Sequence, residues 1–358
     1  MATTTNYGFT VPTSADLVKN GATAISTLGQ NLDTFLFRPL AVNPVINSAM
    51  QVWQRGTSMA GSGTAYCADR WQAFRAVAGS TYSRQATGDT TNLPNIQYCL
   101  RMSRDSGNTA TNAIFASQGF ETINSIPYAG KTVTLSLYAR KGANFSATSN
   151  LLNVQVITGT GTDQNWISGY TGQAVPIDST ATLTTTWQRF TYTGTIASTA
   201  TELSISLNFA PTGTAGAADY AEITGIQLEA GSQATPFRTA GNTYQQELAA
   251  CQRYFNRVVD GSLNSYSGCN VATVASSTRE DTVNTIPINL RGTPTIKYRA
   301  VGDFVAGGQT VTAINSYSSS GKYTNINFSV ASGLTTGQCV RVELNNAATG
   351  YLDYDSEL

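Results

Sequence analysis

From Pro39 onward the chain repeatedly sets apolar and polar residues in alternation, as in "KTVTLSLYAR" (131–140), "WQRFTYTGTI" (187–196), "TELSISLNFA" (201–210) and "AEITGIQLEA" (221–230). Successive side chains of a strand point to opposite faces, so each segment predicts a strand with one face buried. Gly, Asn, Thr and Ser clusters separate them at "RQATGDTTNLPN" (84–95), "TGTGTDQN" (158–165) and "APTGTAGAAD" (210–219). Many short strands punctuated this way predict a mainly β protein, an antiparallel β-sandwich or jelly roll.

The alternation resumes near Asp260, in "NTIPINL" (284–290), "TPTIKYRAV" (293–301), "TNINFSV" (324–330) and "CVRVEL" (339–344). About 100 residues suffice for a smaller C-terminal β domain. Between the two lies "TYQQELAACQRYFNRV" (243–258), where Leu248, Cys251, Tyr254 and Phe255 share a helical face. The expected organisation is an N-terminal segment over 1–40, a sandwich over 41–242, a linking helix over 243–259 and a β domain over 260–358.

The leader "SADLVKNGATAISTLGQNLDTFL" (14–36) reads differently. Leu17, Ile25, Leu28, Leu32 and Phe35, with Gly21, step by fours and threes, the rhythm of a narrow helical seam. Gly21 and Gly29 lower helix propensity by about 1 kcal/mol each, so a lone helix of this length is marginal in water. It predicts either a seam between copies, a trimeric coiled coil, or an amphipathic helix lying on its own domain.

Composition removes whole classes of chemistry. The 358 residues contain no histidine, which excludes Ser-His-Asp and Cys-His catalysis and ordinary zinc sites. Lys plus Arg and Asp plus Glu stand at 21 each, and charged residues make up only 12%. No field of one sign is available to hold nucleic acid or an anionic membrane. No apolar run approaches the roughly 20 residues that span a bilayer, and the opening residues lack a secretion signal, so synthesis in a cytoplasm is expected. Five cysteines without a C-x-x-C read mainly as small buried hydrophobes.

Acidic residues that might form a hydrolytic pair, Asp69, Glu121, Asp163, Glu222 and Glu229, stand in separate segments without a local signature. Asp69 and Glu229 offer oxygens to a structural calcium, or form internal ion pairs with arginines such as Arg70. No phosphate-binding, zinc-protease or EF-hand motif is present, and no cofactor is expected. Aromatic residues in polar loops are better candidates for binding: Trp166 and Tyr170 in "DQNWISGYTG" (163–172), Tyr266 in "LNSYSG" (263–268), and Tyr317 and Tyr323 in "INSYSSSGKYTN" (314–325). Flat rings on a polar rim stack on sugars or partner surfaces, the alternative being core packing.

Six stretches occur in a fixed order: "NPVINSAMQVWQRGTS" (43–58), "YCADRW" (66–71), "GKTVTLSLYAR" (130–140), "TWQRFTYTGTI" (186–196), "ITGIQLEAGSQATPF" (223–237) and "ELAACQRYF" (247–255). This string resembles a module of bacteriophage tail-fibre and other virion appendage proteins, a carbohydrate-binding-like β-sandwich. The leader and the closing "TGYLDYDSEL" (349–358) are similar to the ends of such fibres. The resemblance implies a homotrimer attached to other tail or virion proteins by its N-terminus, located on the virion and adhering to host-surface polysaccharide without membrane insertion. It also implies that Trp53, Arg55, Asp69, Arg70 and Trp71 are framework rather than catalytic residues. The alternatives are a head-attached fibre or architectural connector, a polysaccharide depolymerase, and a monomeric bacterial glycan-binding protein; the non-enzymatic fibre is the expectation carried forward.

Overall fold

The computed structural model describes residues 2–3, 10–36, 43–60, 62–76, 78–264, 266–285, 289–319 and 321–358. They form two compact units, Met1–Tyr244 and Gln245–Leu358.

The first unit opens with β1 (Ala2–Thr3), β2 (Thr10–Val11) and helix α1 (Gly21–Leu36). The helix starts later than the sequence predicts. Thr13 donates its backbone N–H and its hydroxyl to the Asp16 carboxylate, at 2.7 and 2.9 Å, so that a turn occupies the start of the segment. Leu17 therefore precedes the helix, followed by a 3-10 turn over Val18–Asn20. Ala24 is buried, whereas Leu17, Ile25 and Leu32 are 62%, 65% and 46% exposed, and Leu28 is half-buried. The Phe35 side chain lies outside the described residues.

Next come β3 (Ser58–Ala60), β4 (Gly63–Tyr66), β5 (Gln72–Arg75), β6 (Ser80–Ala86), β7 (Tyr98–Arg104) and β8 (Ile114–Gly119). A one-turn helix α2 (Thr122–Ser125) leads to β9 (Thr132–Lys141), β10 (Leu151–Gly159), β11 (Ala174–Thr182), β12 (Gln188–Thr195), β13 (Glu202–Phe209) and β14 (Tyr220–Ala230). Two six-stranded antiparallel sheets result, ordered β11-β10-β13-β8-β5-β4 and β12-β9-β14-β7-β6-β3. The inward residues of β9 (Val133, Leu135, Leu137, Ala139) meet those of β10 (Leu152, Val154, Val156) and β13 (Leu203, Ile205, Leu207, Phe209) in one core.

The outer face of the second sheet is not left to solvent, as alternation alone implies. Residues 231–238 run across it: Gly231 O accepts from the Thr134 hydroxyl at 2.7 Å, and Gln227 Oε1 accepts from Arg238 N at 2.8 Å. Thr134, Ser136 and Gln227 are consequently buried. Within β14 the register slips between Thr224 and Gln227, where Gly225 takes φ +58°; an added Cβ there would meet Ile96 and Tyr138 at 2.8 Å.

The "WQRG" and "DRW" stretches lock this unit at its N-terminal edge. Trp71 is fully buried and donates its indole N–H to Asn47 O at 3.2 Å, while Trp53 donates to Met50 O at 2.8 Å. Buried Asp69 accepts from Gln54 N at 3.0 Å, with the Arg55 guanidinium 3.8 Å away. Arg70 adopts φ +70° and donates to Gly119 O at 2.6 Å.

In the second unit the helix read over 243–258 is shorter. Helix α3 (Tyr244–Gln252) gives way to β15 (Phe255–Asp260), whose register against residues 351–355 slips between Arg257 and Val259, so that Val259, opposite Leu352, enters the β core while buried Phe255 stands opposite Asp355. Then follow β16 (Gly268–Ser276), β17 (Arg279–Thr285), β18 (Thr295–Tyr298), β19 (Phe304–Ala306), β20 (Gln309–Ser319), β21 (Tyr323–Val330), β22 (Cys339–Leu344) and β23 (Tyr351–Asp355). Six of them close a barrel, β16-β17-β21-β20-β19-β22, and β15-β23-β18 form a small sheet on the same core. The closing segment "YLDYD" is the central strand of that sheet. Asp353 takes the Arg257 guanidinium through both oxygens, at 2.8 and 3.0 Å.

Candidate functional site

Strand parity decides which side chains the first sheet turns outward. On β13, Leu203, Ile205, Leu207 and Phe209 go into the core, so Glu202, Ser204, Ser206 and Asn208 face away from it. In register with Asn208 stand Phe115 on β8 and, beyond it, Phe74 on β5; on the other side stands Asn153 on β10. One rung across the sheet thus reads Phe74, Phe115, Asn208, Asn153. The two rings lie 5.8 Å apart, and Asn153 donates to Asn208 Oδ1 at 2.9 Å.

The segment between β10 and β11 folds back over this rung and adds a third ring. Trp166 lies 6.3 Å from Phe115, so three half-buried rings neighbour one another in the order Phe74, Phe115, Trp166, beside half-buried Asn153 and buried Asn208. Several bonds hold the segment in place. Asn165 caps the turn Trp166–Ser168 by accepting from Ile167 N at 3.0 Å. Glu202 Oε1 accepts from Gln164 N, and Thr171 N donates to Gln164 Oε1 at 2.8 Å. The Trp166 indole N–H is shielded from solvent and has no acceptor among the described residues.

Tyr170, expected beside Trp166 on the surface, is instead 6% exposed. Its hydroxyl donates to Leu203 O at 3.3 Å, and its ring lies against Gly159, where an added Cβ would come within 2.5 Å of Tyr170 Cβ. It pins the segment to the sheet, and burial raises its phenol above the ordinary range. The three C-terminal tyrosines fall at one end of the barrel: Tyr266 just before β16, Tyr317 near the end of β20, and Tyr323 at the start of β21. Tyr266 is 51% and Tyr323 44% exposed, while the Tyr317 side chain lies outside the described residues.

The acidic candidates are held in separate networks. Buried Glu222 receives Arg101 Nε at 2.8 Å and Arg140 Nε at 2.5 Å. Asp163 accepts from Thr122 N at 2.7 Å, and Glu229 accepts from Thr235 N at 2.9 Å. Among the described residues no three His, Cys, Asp or Glu side chains gather as a metal ion would need. No described helix is long and apolar enough to cross a membrane. Cys67, Cys99 and Cys251 are buried free thiols, Cys67 pushed up to about 12 by desolvation, whereas Cys339 is exposed.

No family model matches the sequence, and no curated protein matches it. Several solved structures are similar over part of it. A putative sugar binding protein from Bacteroides thetaiotaomicron aligns over 53% of this chain and 100% of its own, with 11% identity and a TM-score of 0.35. The C-terminal family 22 carbohydrate binding module of Clostridium thermocellum Xyn10B aligns over 47% and 89%, with 14% identity and a TM-score of 0.31. The enzymatically active domain of bacteriophage CBA120 tailspike protein 4 aligns over 53% of this chain but only 21% of its own, with 9% identity and a TM-score of 0.31. At such identities and TM-scores the likeness assigns no ligand and no role.

Proposed function

We propose that this chain is a non-enzymatic adhesive fibre protein of a bacteriophage virion, trimerised and attached through its N-terminal segment, whose jelly-roll sandwich binds host-surface glycan. The ring line Phe74, Phe115, Trp166 beside Asn208 and Asn153 carries the glycan reading. Sugar rings stack on flat apolar faces through their C–H bonds while amides take their hydroxyls, and beside the rings stands the half-buried amide of Asn153, held by the buried Asn208. Three copies per fibre make weak contacts sufficient. The open face of α1, with Ile25 and Leu32 exposed, supports association between copies.

The test is titration calorimetry of the purified chain with host surface polysaccharide. Trp166→Ala lowers affinity at least tenfold, about 1.4 kcal/mol, with an unchanged circular dichroism spectrum. Unchanged affinity refutes the site, and new reducing ends in the mixture refute the non-enzymatic reading. Sedimentation of the intact chain as one copy refutes the trimer; as three copies, it predicts that Ile25→Asp returns the chain to one.

A further inference from the structure

A second surface feature lies apart from the ring line, at the edge where β6 and β7 meet the segment leading to α3. It is a cleft of about 600 Å³, within the range of small-molecule sites, lined among others by Gln51, Arg84, Asn95, Gln97, Tyr98 and Tyr244. The Arg84 guanidinium lies 4.6 Å from the centroid of the Tyr98 ring, which fixes its plane. It has no carboxylate partner among the described residues, and none of the described residues lining the cleft is acidic. Other arginines of this sandwich are engaged: Arg101 and Arg140 by Glu222, Arg104 by Asp219, Arg189 by Ser136 and Thr235. The amides of Gln51, Asn95 and Gln97 likewise have no partner among the described residues, and the Tyr244 ring is 52% exposed.

Unspent amide donors and acceptors suit hydroxyl groups, a half-exposed ring suits a sugar face, and a stacked guanidinium without a counter-charge suits a carboxylate. We infer that this cleft is a second saccharide site selective for acidic sugars, with Arg84 taking the sugar carboxylate and Gln51, Asn95 and Gln97 its hydroxyls. The inference rests on the glycan-adhesion reading and adds a place and a charge preference to it.

Tetragalacturonate and its methyl ester, which share a backbone and differ in charge, are the probes. Titration calorimetry of the full chain at low ionic strength gives at least tenfold tighter binding of the acid. Arg84→Met keeps the aliphatic stem over Tyr98 and removes that preference, and raising salt weakens the acid more than the ester. Trp166→Ala leaves the preference intact. Equal affinity for acid and ester, a preference that survives Arg84→Met, or no binding of either probe overturns the inference. In each case binding of host polysaccharide through Trp166 is measured separately, so the adhesion reading stands or falls on its own result. Loss of acid binding in Trp166→Ala moves the acidic sugar to the ring line and also overturns the cleft.

Discussion

Glu280 has its carboxyl inside the barrel of the second unit with nothing to hold it. Its register partners, Val274 on β16 and Phe328 on β21, are core residues, and both carboxylate oxygens are buried without a hydrogen bond among the described residues. The described inward residues of the flanking strands are Ala272, Val274, Thr324, Ile326, Phe328 and Val330, none of them titratable. Across the adjacent barrel end, Leu334 N donates to Ser277 O at 3.2 Å and Gly337 N to Val274 O at 2.9 Å, closing that mouth. Desolvation raises the carboxyl from its ordinary 4.5 to about 7. At about 1.4 kcal/mol per pH unit the displacement is worth about 3 kcal/mol. The folded state keeps a proton that the unfolded chain gives up. The linked stability is therefore complete below pH 4.5, falls as pH rises from 4.5 to about 7, and is flat above. For a unit of this size that is a fall in Tm on the order of 10 °C between pH 5 and pH 8.

Scanning calorimetry of the full chain reads it out. All four tryptophans, Trp53, Trp71, Trp166 and Trp187, lie in the first unit, so the transition without a tryptophan signal belongs to the second. Glu280→Leu raises that transition at pH 8, because an apolar side chain replaces an uncompensated carboxylate, and flattens its pH dependence; Glu280→Gln flattens it alone. If the wild-type slope persists in both variants, the carboxyl is not the source and the reasoning fails.

Arg104 and Asp219 form a fully buried pair at 2.9 Å, and the same guanidinium donates to Ala110 O, Thr212 O and Gly213 O. Arg104→Met strands Asp219 in the interior and costs about 3–5 kcal/mol, read as a lower urea midpoint of tryptophan fluorescence. Trp71→Ala empties the largest fully buried site in the sandwich at a cost of about 3–5 kcal/mol, measured in the same way. Gly225→Ala combines a left-handed backbone with contacts at 2.8 Å and destabilises by about 1–3 kcal/mol, lowering the first unit's Tm and not the second's.

The strands that were legible carry large apolar residues at every second place, as β9 and β13 do. Those that escaped, β16 "GCNVATVAS" and β20 "QTVTAINSYSS", are built of small and hydroxyl residues whose alternation has little amplitude. Strand β23 was legible in principle, since Leu352 and Tyr354 alternate with Asp353 and Asp355, but only pairing on both sides makes it central. Trp166 was found as an aromatic in a polar loop. Tyr170 was misplaced by the same rule, because composition does not tell that the loop folds back onto the sheet; the available signal was Gly159, whose missing side chain makes room for its ring. Phe74 and Phe115 were missed for a related reason: each stands on the parity opposite to its inward neighbours, Ala73 and Ala116, and an outward ring is visible only once the inward face is known.

Under the proposed glycan adhesion, a low charge fraction has a physical use. Asn, Gln, Ser and Thr on an outer sheet face are commonly satisfied by neighbours or water, and here part of the second sheet's face is covered by residues 231–238. On the first sheet half-buried Asn153 bonds buried Asn208 beside half-buried rings, and at the β6–β7 edge three amides and one guanidinium have no partner among the described residues. Neutral hydrogen-bonding groups cost less to desolvate than carboxylates or ammonium groups, so a polar ligand can replace their water at small penalty. A surface of higher charge would hold its water more tightly and repel ligands of like charge. The low charge fraction therefore fits shallow contacts to uncharged hydroxyls, and Arg84 is the place where that rule is broken and where a charged ligand gains most.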